Sequence, residues 1–176
     1  PPWPDKHLRA DTKSLAITIA YTKENGGTFL AYLYGINCQK ESTEPMICQC
    51  TIDKSVAISG IGLHTGARIN LTLRPADAGT GVIFHHHSGS QVTTIEARSC
   101  NVVDTRLATV IGRGEVRIST VEHLLATLSA YGIDNLHIDI DGPEVPVMDG
   151  SAAPFASLIE SAGLRKLAKG RVYLAI

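Results

Sequence analysis

The stretch ARINLTLRP, Ala67 to Pro75, sets Ala67, Ile69, Leu71 and Leu73 against Arg68, Asn70, Thr72 and Arg74. Successive side chains of a strand leave opposite faces, so this period of two marks a strand with one face on a core and the other in water. NLHIDID repeats the pattern: Leu136, Ile138 and Ile140 lie on one side, His137, Asp139 and Asp141 on the other. A sheet that is wet on one face needs a second layer over its dry face.

That layer reads as helix. In RISTVEHLLATLSAYGIDN, Val121, Leu124, Leu125 and Leu128 line one face, and Gly132 stands where a left-handed residue closes the helix. Ser119 as N-cap, with Glu122 three residues on, has the spacing of a capping box. A second helix follows in GPEVPVMDGSAAPFASLIESAG: Ser151 or Asp149 caps it, and Pro154 falls in its first turn. Phe155, Leu158, Ile159 and Ala162 form its stripe before Gly163 ends it. SVAISG and GVIFHHH read as further strands, and ATVIGRGEVRI as a hairpin turning on Gly112 and Gly114. GIGLHTG carries Gly60, Gly62 and Gly66, suited to a turn or bulge with positive φ. After a basic linker, RVYLAI starts one more strand. The order predicts an α+β two-layer sandwich, with a mainly antiparallel sheet and two helices packed on one face.

With 176 residues, 44% of them hydrophobic, the chain can bury one sizeable core. Its formal net charge of -1 supplies no basic field for nucleic acid or an anionic membrane surface, so partners of those classes are not expected. No apolar run approaches the roughly 18 residues of a membrane span. Cys38, Cys48, Cys50 and Cys100 match neither a zinc knuckle nor a disulfide framework and are expected as reduced thiols. Residues 1–50 lack a sustained period and read as an extension of unknown role; within them GTFLAYLYGINC fits one strand or a short buried helix. The opening PPWPDKHLRA has neither an initiator Met nor a secretory leader, and a fragment or processed product is expected.

Glu122 beside His123 is the most suggestive pair, although the capping box accounts for Glu122 by itself. One turn beyond His123 stands Thr127, so the helix offers one imidazole and not the two of a His-Glu-x-x-His zinc helix. His85 and His87 share a strand face but read as a solvated edge, and His137 as an exposed partner for a nearby acid. His64 is presented from glycine-rich backbone that a ligand could approach, yet a plain turn explains it too. Asp139, Asp141 and Glu144 lack the fixed pattern of an EF-hand and read as strand and turn polarity. Ser151 has no Gly-x-Ser-x-Gly elbow around it.

From about Thr51 onward, SGIGLHTGARINLTLRPADAGTGVIF, DTRLATVI, VRISTVEHLLATLSAYGIDNLHIDIDGPEVPVMDGSAAPF and LIESAG together resemble the N-terminal half of the UDP-3-O-acyl-N-acetylglucosamine deacetylase family. In that family two similar α+β domains hold a zinc site between them. The resemblance implies a folded domain over residues 51–168 and, over 169–176, the start of a connection to a second domain. It implies that His123, in the TVEH motif, is a ligand of Zn2+, and that Glu122 is the general base toward zinc-bound water. Leu107 and Ala108 align with residues near the substrate, Arg106 departs from the hydrophobic residue of some members, and His64 is carried as a substrate contact at the cleft edge.

The family's other zinc ligands, from a His-Lys-x-x-Asp motif, its second catalytic His and a Ser-Arg-Thr-Phe segment belong to that second domain, and none occurs here. The implied function is therefore the N-terminal half of a zinc-dependent hydrolase that deacetylates UDP-3-O-acyl-N-acetylglucosamine in lipid A biosynthesis, in the cytoplasm of a Gram-negative type bacterium. Its partners are the UDP-linked acylated glucosamine and the second domain, and the half by itself is expected to be inactive. The alternative is a non-catalytic binding or regulatory module that keeps the fold.

Overall fold

A computed structural model describes residues 19–22, 28–31 and 47–173. The chain divides into two compact units, one of Pro1–Ile47 with Arg171–Ile176, the other of Cys48–Gly170. In the first, β1 (Ile19–Thr22) pairs antiparallel with β2 (Thr28–Ala31), Ile19 opposite Ala31 and Thr22 opposite Thr28. The described part of GTFLAYLYGINC is thus strand; the rest of that stretch lies outside the described residues.

The second unit runs β3 (Cys48–Ile52), β4 (Val56–Ile61), β5 (Arg68–Pro75), β6 (Val82–Ser88), β7 (Gln91–Glu96), β8 (Val102–Asp104), β9 (Val110–Arg113) and β10 (Val116–Ile118). Then come α1 (Glu122–Ala130), β11 (Leu136–Ile140), α2 (Ala153–Ala162) and β12 (Leu164–Gly170). The main sheet has the order β4-β5-β11-β6-β7, and β11 with β6 is the one parallel pair in it. A parallel pair needs a long crossover, and here everything from β7 to α1 intervenes. β8, β9 and β10 form a separate antiparallel sheet.

The two alternating stretches behave as their period demands. Ile69, Leu71, Leu73, Leu136 and Ile138 are fully buried, and they join Leu124, Leu128, Phe155 and Ile159 of the helices in one core. The molecule is α+β, two helices with mostly antiparallel sheets. The hairpin turns at Gly114, which has φ 58°, whereas Gly112 lies inside β9 and is buried.

Two local expectations are corrected. The basic residues after α2 are not a linker: Leu164–Gly170 is β12, paired antiparallel with β3 from Leu164–Ile52 to Gly170–Cys48 around a register shift. A ribbon held by main-chain bonds, with Arg165, Lys166 and Lys169 in water, needs no apolar alternation, and lysines suit such an edge. Of RVYLAI, Arg171–Tyr173 form no strand and the last three residues lie outside the described ones.

The second correction is at the helix starts. α1 begins at Glu122, with Val121 before it and no side-chain cap, so Ser119 is not the N-cap. Ser119 is held as backbone instead: its N–H donates to Pro143 O at 2.9 Å and its carbonyl accepts from Val145 N at 2.9 Å. At α2 the Asp149 carboxylate accepts from the Ser151 amide and hydroxyl, and Ser151 Oγ accepts from Ala153 N at 3.2 Å. The residue before the helix is Ala152, without a side-chain cap, and Pro154 falls in the first turn as expected.

Candidate functional site

The geometry around Glu122 and His123 starts from a backbone constraint. Ile118 and Val121 are both fully buried, and between them the chain reverses at Thr120, a non-glycine residue with φ 59°. Left-handed backbone costs a β-branched residue of order 1–3 kcal/mol and persists only where the surroundings hold it. The turn delivers Glu122 and His123 at the N-terminal end of α1, where a carboxylate meets the positive end of the helix dipole.

Glu122 does not take the Ser119 N–H, as a capping box requires, because that N–H is donated to Pro143 O. Its Oε1 accepts the backbone N–H of Thr109, which brings the loop between β8 and β9 across the helix start. Leu107, 89% exposed, and half-buried Ala108 therefore stand within two residues of a contact to Glu122. Burial alone would push the Glu122 carboxyl up, but the Thr109 amide, its own amide and the Thr109 hydroxyl outweigh it and hold the group below its ordinary value. Glu122 is thus ionised at neutral pH.

Arg106, in the same loop, turns back on Asp104: the carboxylate accepts from Arg106 Nη2 at 2.6 Å, from Nε at 3.1 Å and from the backbone N–H at 3.1 Å. Those bonds hold Asp104 far below the ordinary carboxylate range.

The glycine-rich loop after β4 is tied in through Glu144, which the sequence alone places as turn polarity. Glu144 is completely buried, and its carboxylate accepts from Thr65 Oγ1 at 2.6 Å, Thr65 N at 2.8 Å and Thr120 Oγ1 at 3.4 Å. The His64 N–H lies 3.2 Å from both of its oxygens. Burial acts to raise the Glu144 pKa, but the bonds from Thr65 and His64 together carry it below its ordinary value. Gly62 leaves the room for this carboxylate, since a Cβ there would overlap Glu144 Oε1. Of the three glycines expected at positive φ, only Gly66 has it, at 65°. His64 itself is exposed.

So the structure gathers Glu122, His123, the Leu107–Ala108 loop and, through Glu144 and Thr120, the His64 loop. The sequence places Glu144 only as turn polarity and Thr120 only as the first residue of TVEH, and it assigns Thr109 no role. The available signal was a Glu set between two prolines, in GPEVP. Among the described residues no three or more His, Cys, Asp or Glu side chains converge to hold a metal. A catalytic zinc takes three protein ligands, so His123 by itself does not make the zinc site that the resemblance implies.

Among the described residues, His85, His87 and His137 lie elsewhere, on the outer face of the sheet. His137 meets not an acid but His85, Nδ1 to Nε2 at 3.0 Å. His87 Nε2 lies 2.9 Å from Asp139 Oδ1, and Arg74 Nε pairs with the other Asp139 oxygen. β6 sits between β11 and β7, so these side chains cover an interior strand and are not at a sheet edge.

The sequence profile of the family described as UDP-3-O-acyl N-acetylglycosamine deacetylase matches residues 49–176. The chain is 62% identical over 131 residues to the UDP-3-O-acyl-N-acetylglucosamine deacetylase of Syntrophotalea carbinolica, covering 74% of this chain and 42% of that protein. It is 57% identical to the protein of the same name from a Geobacter species, over 74% of this chain and 43% of the relative. To that of Myxococcus xanthus it is 55% identical, over 67% of this chain and 38% of the relative. The chain thus spans about two fifths of the length of the relatives it matches.

Proposed function

Because the chain belongs to the UDP-3-O-acyl N-acetylglycosamine deacetylase family, we propose that it is the N-terminal half of a zinc-dependent enzyme that removes the acetyl group from UDP-3-O-acyl-N-acetylglucosamine in lipid A biosynthesis. The observation that carries this reading is the start of α1, where an ionised Glu122 is fixed by the Thr109 amide beside His123. Glu122 is the general base: it accepts a proton from the attacking water and can return one to the departing sugar nitrogen, as a carboxylate ionised at neutral pH can. Water oxygen adds to the acetamide carbonyl carbon, the C–N bond breaks, and acetate and the free amine leave.

His123 supplies one ligand to Zn2+, and the other donors come from a second domain. Zinc lowers the pKa of water and polarises a carbonyl, which is the chemistry an amide hydrolysis needs. Leu107, Ala108 and His64 line the substrate side. Folded without the second domain, residues 51–168 hold a base and one ligand, and such a half does not turn over. No helix among the described residues is long and apolar enough to cross a membrane, and the proposed site of action is the cytoplasm.

The test is deacetylation of the UDP-linked acylated sugar, with zinc quantitation, by the chain alone and with a folded second half added. Glu122→Gln in the reconstituted enzyme is expected to lower kcat by about 10²- to 10⁴-fold with zinc retained; His123→Ala is expected to lose the zinc as well. No rescue by the second half, or an undiminished Glu122→Gln enzyme, overturns the reading.

A further inference from the structure

Glu144 takes no part in the chemistry above, yet among the described residues it is the one acidic side chain that is fully buried. Burying an anion is costly unless its lone pairs are filled. Here the Thr65 hydroxyl, the Thr65 and His64 amides and the Thr120 hydroxyl fill them. The donors come from two segments, the loop after β4 and the turn before α1, which are far apart in sequence. Glu144 is also bridged to the second of these by main chain, as the partner of Ser119. Gly62 keeps its place open, and Thr120 is the strained residue two positions before Glu122.

A carboxylate that only had to stabilise a turn would need one segment. This one ties the loop carrying His64 to the residue that sets the entry angle of Glu122 and His123. It grips His64 by the backbone, which leaves the imidazole outside the clasp. We infer that Glu144 is a positioning residue, a buried clasp that fixes the His64 loop and the start of α1 as one rigid edge of the site. The inference rests on the reading of Glu122 and His123 as reacting groups.

The experiment uses the enzyme reconstituted with its second half, or the parent full-length protein. Thr65→Val removes the 2.6 Å donor from an exposed side chain and so leaves the core alone. It is expected to lower kcat about tenfold with zinc content unchanged, as a small displacement of reacting groups can. Thr65→Ser, which keeps the hydroxyl, recovers most of the loss. Glu144→Gln, which turns an amide NH2 toward the same donors, is expected to lose about tenfold more than Thr65→Val. Amide hydrogen exchange supplies a readout besides activity: residues 60–66 and 119–124 should both exchange faster in Thr65→Val than in the unsubstituted protein. Undiminished kcat in Thr65→Val, or faster exchange confined to 60–66, overturns the inference. An unsubstituted enzyme with no deacetylase activity overturns the proposed function instead, and the exchange comparison still decides whether the clasp couples the two segments.

Discussion

Asp139 shows how much a single outward residue of an alternating strand can gather. Its carboxylate takes both the Arg74 guanidinium and the His87 ring on the wet face of the sheet. Burial works to raise its pKa, while the bonds from Arg74 and His87 outweigh that and hold it below the ordinary value. A carboxyl lowered in the folded state contributes stability that is fully present above its unfolded pKa, near about 3.9, and lost as pH falls through the lower folded value. Asp139→Asn is therefore expected to lower the unfolding free energy at pH 7, measured by urea titration, by about 1 kcal/mol or less because Arg74 is 44% exposed. The gap between the two proteins should close as the pH drops below 4. A gap that stays constant from pH 7 down to pH 2.5 would count against this assignment. The sequence shows Asp139 on the wet side of its strand; it does not show that Arg74 and His87, 65 and 52 residues away, arrive there.

At the scale of the element, α1 was legible in its stripe and misread at its start. Leu124 and Leu128 are buried because a period of 3.6 puts them on one face, a property the residues carry among themselves. Leu128→Ala is expected to cost about 2–5 kcal/mol of unfolding free energy, measured by denaturant titration; a loss under about 1 kcal/mol would mean that the helix does not seal the core. The capping box failed for a different reason. Ser119 and Glu122 have the spacing, but Ser119 is held by Pro143 and Val145, and Glu122 by Thr109. A cap is one competitor for a carboxylate, and tertiary donors won. β12 was missed because a solvated ribbon needs no apolar period, so Leu164–Gly170 carried no signal to read.

For the whole molecule, the second unit packs one core, and its candidate site lies where three separate segments meet at the start of α1. That site offers one imidazole and one carboxylate, and no convergent set of three metal donors among the described residues. The expected outcome is that the chain by itself retains less than one equivalent of zinc through dialysis, while the chain with a folded second half retains one. Stoichiometric zinc on the chain alone would refute the shared-site reading. What the sequence by itself determined is what its residues decide locally: the period-two strands, the helical stripes, and the TVEH and GLHTG motifs that carry the family resemblance. The tertiary structure decided which donors reach Glu122, from 13 residues away, and Glu144, from 24 and 80 residues away. A buried carboxylate takes whatever hydrogen-bond donors the packed chain brings to it, and the spacing of residues along the sequence does not encode that meeting.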